Sequence, residues 1–415
     1  MKQIYVVGIG MGNPETLTLG GKKCIETSQA LIGARRMVDS FPQGNKKKHY
    51  AIAPEEITAW IYEQTDIDCI SVLMSGDVGF FSGTKKLCTL LEEKNKERCA
   101  EGKSPFCKVE CVAGISSLQY FCSKLNTSWE DAKIVSLHGR EANVAGTVQT
   151  NEKTFFLTGS DHPAQEICKR LIEAGLGQVE VAVGERLSYE TERIVLGSAE
   201  ELGRQSFDSL SVVLVQNNKI QRRQKQSYGF SDEDFLRGDV PMTKEEVRSV
   251  SLSKLQILKT DVIYDVGAGT GSVSVEMALL AEEGQVYAVE TNPEAVELIR
   301  SNREKFGAWN LQICAGKAPE ALNDLPKPDK AFLGGTKGNM EEIISLLVQK
   351  NPQIRIVINA IALESMWEAM QVLKKYGFEH VEIVQLSLAK AREVGSLHMM
   401  TGQNPIFIIS SQKGQ

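Results

Sequence analysis

The stretch Asp265-Val266-Gly267-Ala268-Gly269-Thr270-Gly271-Ser272 follows an apolar run that begins at Val262, and it opens a helical pattern. Glycine carries no Cβ, so alternating glycines let the backbone turn sharply and approach a ligand closely, with free amides at the start of the helix. Outward from this turn, the run Val286 to Val289 ends in Glu290 and a helix opens at Asn292-Pro293. Further strands are expected at Leu311 to Cys314, Lys330 to Leu333, Arg355 to Ile358, Val381 to Leu386 and Ile406 to Ile409, each separated by a helical pattern. Strands and helices alternating through about seven strands predict a mainly parallel, doubly wound α/β sheet. Its ligand crevice is expected at the carboxyl ends of the first strands.

A lone glycine turn is weak evidence, because dinucleotide sites use a similar one. The acid at the end of the second strand adds to it: a carboxylate at Glu290 can accept from both ribose hydroxyls of an adenosine and excludes a 2′-phosphate. A dinucleotide also needs the helix N-terminus to meet its pyrophosphate. An acidic residue at the start of the turn, Asp265, suits instead a cofactor with an amino group and no phosphate, which S-adenosylmethionine matches. The alternatives are that Asp265 only caps the turn and that Glu290 is a solvated strand-end carboxylate.

Phe235, Val240-Pro241-Met242-Thr243-Lys244-Glu245-Glu246-Val247-Arg248, the glycine turn, Ala288-Val289-Glu290, Gly316-Lys317-Ala318-Pro319-Glu320-Ala321-Leu322, Pro328-Asp329 and Phe332-Leu333-Gly334-Gly335 together resemble the class I methyltransferases. Within them they resemble the cobalt-precorrin-6B methyltransferase (decarboxylating) family, from about residue 229 to the end. The resemblance implies a Rossmann-like domain in which Thr243, Gly267, Ala268, Gly269, Thr270, Gly271, Glu290 and Ala318 bind S-adenosylmethionine. It also implies that the Gly334-Gly335-Thr336 turn shapes a substrate cleft. Lys244 and Arg248, four apart on one helix face, are either surface charges or grips for the acetate and propionate groups of a tetrapyrrole. Asn359 is a further substrate candidate.

The first half also holds a glycine loop, Val7-Gly8-Ile9-Gly10-Met11-Gly12-Asn13-Pro14, but no strand ending in an acid follows some 20 residues later, only Ala30 to Arg36. The dinucleotide expectation therefore fails. With Ser75 to Ser82, Val112 to Ser117, Ser136-Leu137-His138-Gly139-Arg140 and Val183 to Tyr189, this half resembles the tetrapyrrole methylase family, whose cofactor lies in a cleft between two α/β lobes. The SLHGR segment and Gly33-Ala34-Arg35-Arg36 are similar, within it, to cobalt-precorrin-7 carbon 5 methyltransferases. The resemblance implies that Met11, Ser75, Gly76, Asp77, Phe80, Ser116, Ser117, Thr158 and Leu187 line a second S-adenosylmethionine site. Met11 and Val78 stand where relatives often have proline, which changes backbone stiffness but removes no functional group. Arg35, Arg36 and Arg140 are candidates for substrate carboxylates, since guanidinium pairs with carboxylate bidentately. His138 is either a general base or a structural hydrogen-bonding group. Lys46-Lys47-Lys48-His49 reads as a solvated loop.

The 415 residues exceed what one core usually supports, so two domains are expected. The polar, Gln-rich run from Asn217 onward reads as an exposed linker, which sets domains at 1–216 and 229–415 with a linker at 217–228. Hydrophobic residues make up 42% and charged residues 24%, and no apolar run approaches the roughly 20 residues of a membrane helix. Nine cysteines form no CxxC pair, and the odd count argues for a reducing cytoplasm. Five scattered histidines offer no zinc spacing, so no protein-bound metal is expected. A net charge of −6 disfavours nucleic acid. A homo-oligomer is expected, with no membrane association.

Two such resemblances in one chain imply successive S-adenosylmethionine-dependent methylations, one cofactor per domain, at carbons 5 and 15 of a corrin precursor. They also imply decarboxylation of its carbon 12 acetate in cobalamin biosynthesis. An electron-rich ring carbon attacking a sulfonium methyl needs positioning and desolvation, worth about 7 to 11 kcal/mol from proximity, and no Ser/His/Asp or Cys/His constellation is visible. The macrocycle can absorb the electrons that decarboxylation releases. The competing readings are a dual-domain RNA or protein methyltransferase, or a chain in which one domain has become a structural partner.

Overall fold

The computed structural model describes residues 1–41, 46–139, 142–159, 161–220 and 229–414. The chain divides into two compact units, one of Met1–His138, Lys153–Cys168 and Glu180–Gln216, the other of Gly139–Glu152, Lys169–Val179 and Asn217–Gln415.

The first unit carries two five-stranded sheets. Strands β1 (Lys2–Gly8), β2 (Ala30–Gly33), β3 (Lys47–Tyr50), β4 (Cys69–Met74) and β5 (Cys107–Val112) pair in the order β3-β2-β4-β1-β5, all parallel. The second sheet holds β6 (Lys133–Ser136), β7 (Lys153–Leu157), β8 (Glu180–Glu185), β9 (Arg193–Ser198) and β10 (Ser211–Gln216) in the order β6-β7-β10-β8-β9. In it β10 runs antiparallel to both neighbours. The lysine run expected as a loop is edge strand β3, in which His49 stacks on Trp60 with ring centroids 4.7 Å apart. Exposed lysines disguise a strand at a sheet edge, where they discourage pairing with other chains.

The second unit has a seven-stranded sheet: β11 (Val262–Val266), β12 (Gln285–Glu290), β13 (Leu311–Ala315), β14 (Lys330–Leu333), β15 (Arg355–Ala360), β16 (Glu379–Leu386) and, after an inserted hairpin β17 (Ala389–Val394) and β18 (Leu397–Gly402), β19 (Ile406–Gln412). The order is β13-β12-β11-β14-β15-β19-β16, with β19 antiparallel to both neighbours and the rest parallel. Neighbouring strand residues serve opposite faces. Ile263, Val357 and Ile408 pack with Val247, Leu252 and Val275 on one side, and Tyr264, Ile358 and Ile409 pack with Ile343, Leu347 and Leu373 on the other. Burial on both faces is why these strands read as continuous apolar runs.

Two features depart from the expectation. The hairpin β17–β18 is additional, turning through Gly395-Ser396 with Gly395 at φ 64°. Asn217, expected to begin an exposed linker, is buried, and its Nδ2 donates to the Val148 carbonyl at 2.9 Å. The linker residues 221–228 lie outside the described residues. Among the described residues no helix is long and apolar enough to cross a membrane, and no cluster of His, Cys, Asp or Glu could hold a metal ion.

Candidate functional site

In the second unit the glycine turn joins β11 to the helix Ser272–Leu280. Gly267, Gly269 and Gly271 adopt φ of 74°, 56° and 77°, a region that side chains rarely enter. Space excludes a side chain as well: a Cβ on Gly267 would meet the Gly335 carbonyl oxygen at 2.5 Å, and one on Gly269 would meet the Pro241 oxygen at 2.9 Å. Thus β11 and β14, the strands at which the order reverses, bring Gly267 and Gly335 together at their carboxyl ends. A cleft opens there, lined by Val266, Gly267, Glu290, Gly316, Ala318 and Gly335 among others.

The amides of the turn are not free. Gly267 and Ala268 both donate to the Val289 carbonyl, Gly271 donates to Ala268, and Gly269 donates to Glu290 Oε2 at 3.0 Å. A turn that spends its amides internally has few left for a pyrophosphate, which sets this site apart from a dinucleotide site. Glu290 Oε1 accepts from the amides of Thr291 at 2.6 Å and Asn292 at 2.9 Å. Burial acts to raise the Glu290 pKa, but the amides of Asn292, Gly269 and Thr291 together outweigh it and hold the carboxylate below its usual range. Oε1 carries two amide bonds and Oε2 one, so Oε2 keeps a lone pair for a further donor. Asp265 is fully buried, and Ser274 Oγ donates to its Oδ2, while Oδ1 has no partner. Burial pushes this carboxyl up to about 7. A cofactor that brings an ammonium group and a ribose diol fits these two carboxyls, one with an unmatched buried oxygen and one lining the cleft.

The remaining expected residues of this half divide. Ala318 lines the cleft, and its carbonyl accepts from Asn339 Nδ2 at 3.1 Å. Thr270 is buried behind the turn. Thr243 precedes the helix Glu245–Leu255, and its carbonyl accepts from Arg248 Nη1 at 2.6 Å. Arg248 does not reach outward. Its guanidinium is wholly buried, donating to Glu276 at 2.5 Å, to the Phe230 carbonyl at 2.5 Å and to Asp232 at 3.4 Å, over the Phe235 ring. Its donors are spent on the protein, so the reading of Arg248 as a substrate grip gives way to a structural one. Lys244 is partly exposed, 3.7 Å from Asp232. Asn359 Oδ1 accepts from Ser251 Oγ at 3.0 Å while its buried Nδ2 has no partner. Lys317, from the Gly316–Leu322 stretch, also lines the cleft, as do Thr291 and Lys337, which no sequence pattern marks.

In the first unit Met11, Ser75 to Phe80 and Ser116-Ser117 follow β1, β4 and β5, so parallel pairing gathers them at one end of the first sheet. Gly10 and Gly76 exchange backbone hydrogen bonds of 3.1 and 2.8 Å, and Asp77 Oδ2 accepts from the Gly114 amide at 3.0 Å. Met11, Phe80 and buried Leu187 share one apolar cluster with Phe121 and Phe155. Ser116 caps the helix Ser117–Lys124, and the Thr158 hydroxyl donates to the Ser211 carbonyl at 2.6 Å, so both hydroxyls are engaged within the protein. Arg36 Nη1 donates to the Tyr189 hydroxyl at 3.0 Å and Arg35 stacks over Tyr50. His138 is exposed, and Arg140 lies outside the described residues.

A seven-stranded sheet with its last strand inserted antiparallel, a glycine turn with spent amides and an acid closing the second strand define a methyltransferase-type domain. Comparison with known proteins agrees. Residues 234–413 match the family described as "Precorrin methyltransferase domain", and residues 3–203 the family described as "Tetrapyrrole (Corrin/Porphyrin) Methylases". The probable cobalt-precorrin-6B C(15)-methyltransferase (decarboxylating) of Sulfolobus acidocaldarius is 44% identical over 192 residues, 45% of this chain and 97% of that protein. The Salmonella typhimurium cobalt-precorrin-6B C(15)-methyltransferase (decarboxylating) is 40% identical over 184 residues, 44% of this chain and 95% of that protein. A solved structure titled precorrin-6Y C5,15-methyltransferase, from Geobacter metallireducens, is 37% identical over 46% of this chain and 100% of its own, with a TM-score of 0.44. Through its C-terminal half the chain belongs to the cobalt-precorrin-6B C(15)-methyltransferase (decarboxylating) family, and its N-terminal half is a tetrapyrrole methylase domain. It is a methyltransferase, and methyltransferases of this family use S-adenosylmethionine.

Proposed function

We propose that this chain methylates precorrin-6Y, or its cobalt-bearing counterpart cobalt-precorrin-6B, at carbons 5 and 15 and removes the carbon 12 acetate carboxyl as CO₂ during cobalamin biosynthesis. The observation that carries this reading is the presence in one chain of a tetrapyrrole methylase domain and a domain 44% identical to a decarboxylating carbon 15 methyltransferase. Residues 1–216 act at carbon 5 and residues 229–415 act at carbon 15 and in decarboxylation, with one cofactor in each.

S-adenosylmethionine, when bound, supplies an electrophilic sulfonium methyl. The protein supplies position. Glu290 Oε2 accepts from a ribose hydroxyl, the buried Asp265 carboxyl answers the cofactor's amino group, and the Gly267–Gly335 approach narrows the cleft so that little water enters. Holding the reacting atoms in line makes the transfer effectively unimolecular. In the first domain Met11, Ser75, Gly76, Asp77, Phe80, Ser116, Ser117, Thr158 and Leu187 form the corresponding site, with Arg35, Arg36 and Arg140 for substrate carboxylates. Lys244 and Asn359 serve the substrate in the second.

Self-association is supported by the hairpin β17–β18, which stands as a separate two-stranded sheet and exposes Leu397, Met399 and Met400. Nine unpaired cysteines fit a reducing cytoplasm, and an acidic chain of net charge −6 fits a small-molecule substrate better than nucleic acid. The test is to incubate the purified chain with labelled S-adenosylmethionine and a precorrin-6Y or cobalt-precorrin-6B pool and to weigh the product. Two added methyls with loss of one CO₂ are expected; label entering RNA or protein instead would sink the reading.

A further inference from the structure

The helix Thr84–Ala100 lies on one face of β5, an edge strand of the first sheet. Its Leu87 and Leu91, four apart and fully buried, pack in one core with Cys107 and Val109 of that strand. Cys111 stands two residues beyond Val109, so its side chain faces the helix as theirs do. At the start of the strand Asn95 holds the register. Its Nδ2 donates to the Cys107 carbonyl at 2.8 Å, and its Oδ1 accepts from the amides of Phe106 at 2.9 Å and Cys107 at 3.1 Å. From Asn95 back to Cys88 the helix covers roughly 10 Å, and from Cys107 on to Cys111 the strand covers roughly 13 Å, so the two keep pace. Cys88 and Cys111 therefore meet, with their Sγ atoms 3.9 Å apart. Cys111 is exposed and Cys88 half-buried.

We propose that Cys88 and Cys111 are a disulfide-forming pair, a modification site whose reagent is a hydroperoxide, in which Cys88 saves Cys111 from irreversible oxidation. The Cys111 thiolate attacks one peroxide oxygen and the O–O bond breaks. The departing oxygen takes up a proton and leaves as an alcohol, or as water when the reagent is hydrogen peroxide. Cys111 is now a sulfenic acid, oxidised by two electrons. The Cys88 sulfur attacks it, the S–S bond forms as the S–O bond breaks, and the Cys88 proton departs with the hydroxyl as water. The sulfurs close from 3.9 Å to about 2.0 Å, a change that rotation about the two Cα–Cβ bonds supplies because helix and strand are already in register. Burial and the neighbouring Cys111 push the Cys88 thiol up to about 11. It stays protonated at neutral pH and leaves the first encounter to the exposed Cys111, since the thiolate is the nucleophile. Without a second thiol the sulfenic acid goes on to a sulfinic acid, which reductants do not reverse. The pair guards a crowded place: Gly114, three residues on from Cys111, is wedged where a Cβ would meet the carbonyl oxygens of Gly76 at 2.3 Å and Gly8 at 2.6 Å.

The experiment treats the fully reduced chain with hydrogen peroxide and follows each cysteine by mass spectrometry of its peptides, beside Cys88→Ser and Cys111→Ser. In the unaltered chain the Cys88 and Cys111 peptides are expected to be joined within one molecule, with the loss of two hydrogens, about 2 Da, and to separate again in dithiothreitol. In Cys88→Ser, Cys111 is expected to be trapped by dimedone as a sulfenic acid and, without the trap, to gain about 32 Da as a sulfinic acid. Cys111→Ser is expected to abolish the link and leave Cys88 reduced. The exposed Cys99 reports that each chain met the same dose of reagent. Cys111 reaching sulfinic acid as fast in the unaltered chain as in Cys88→Ser overturns the proposal. So does a disulfide from Cys111 to any cysteine other than Cys88, in its own chain or in another copy. No methyl transfer enters the readout, so the result stands apart from the functional reading.

Discussion

Arg248 Nε donates to Glu276 Oε1 at 2.5 Å in an ion pair whose cation is wholly buried and whose carboxylate is 2% exposed. Glu276 also accepts from the amides of Gly229 at 2.9 Å and Phe230 at 3.2 Å, so the pair ties the start of the second domain's sequence to the helix behind the glycine turn. Removing one partner of such a pair strands the other charge. Glu276→Ala is expected to cost about 3 to 5 kcal/mol. The midpoint of urea unfolding followed by tryptophan fluorescence should fall accordingly; a midpoint within error of the unaltered chain refutes the structural role given to Arg248.

Glu290→Ala removes the acceptor for the amides of Gly269, Thr291 and Asn292 together with the ribose contact. Titration calorimetry should show S-adenosylmethionine stoichiometry falling from two per chain to one. Carbon 15 methylation should be lost and carbon 5 methylation kept. Retention of both sites would show that Glu290 is not a cofactor ligand.

Gly267→Ala places a methyl 2.5 Å from the Gly335 carbonyl oxygen, at a φ of 74° that alanine rarely adopts. Strain of this kind costs roughly 1 to 3 kcal/mol and forces β11 and β14 apart where the cleft opens. The variant should bind cofactor at least tenfold more weakly in the second domain, measured by the same calorimetry.

The pKa of Asp265 is raised by burial to about 7. A carboxyl with a folded value above its unfolded one holds its proton more tightly when folded, so its contribution to stability is greatest in acid and is lost as pH rises through about 7. Asp265→Asn abolishes that loss. The difference in unfolding free energy between the two chains should therefore change between pH 4 and 8 in the variant's favour. A pH-independent difference would place an ionised, paired Asp265 in the folded chain.

Leu397 and Met399 alternate along β18 and so share one face of the exposed hairpin. Replacing both with glutamate should lower the molar mass in sedimentation toward that of a single chain, 45.7 kDa. An unchanged mass would remove the hairpin from any subunit contact.

Local pattern was enough to determine much of this molecule. The turn from Asp265 to Ser272 and the acid at Glu290 lie within two adjacent β-α units, and the strand runs on either side are buried on both faces, so their positions could be read directly from the amino acids. What could not be read depends on partners distant in sequence. Arg248 looks like a surface cation until Glu276, 28 residues away, is folded against it. Thr158 carries a free hydroxyl until Ser211 pairs across the sheet, 53 residues on. The amides of the glycine turn look available until the Val289 carbonyl and Glu290 take them. Edge strand β3 and the hairpin β17–β18 carry exposed charged or mixed residues and present no buried face to give them an apolar pattern. The sequence determined the glycine turn after the first strand of the second domain and the acid that ends the next one. Only the tertiary structure decided which polar groups are already satisfied, because a hydrogen bond between distant residues leaves no periodic trace in the chain.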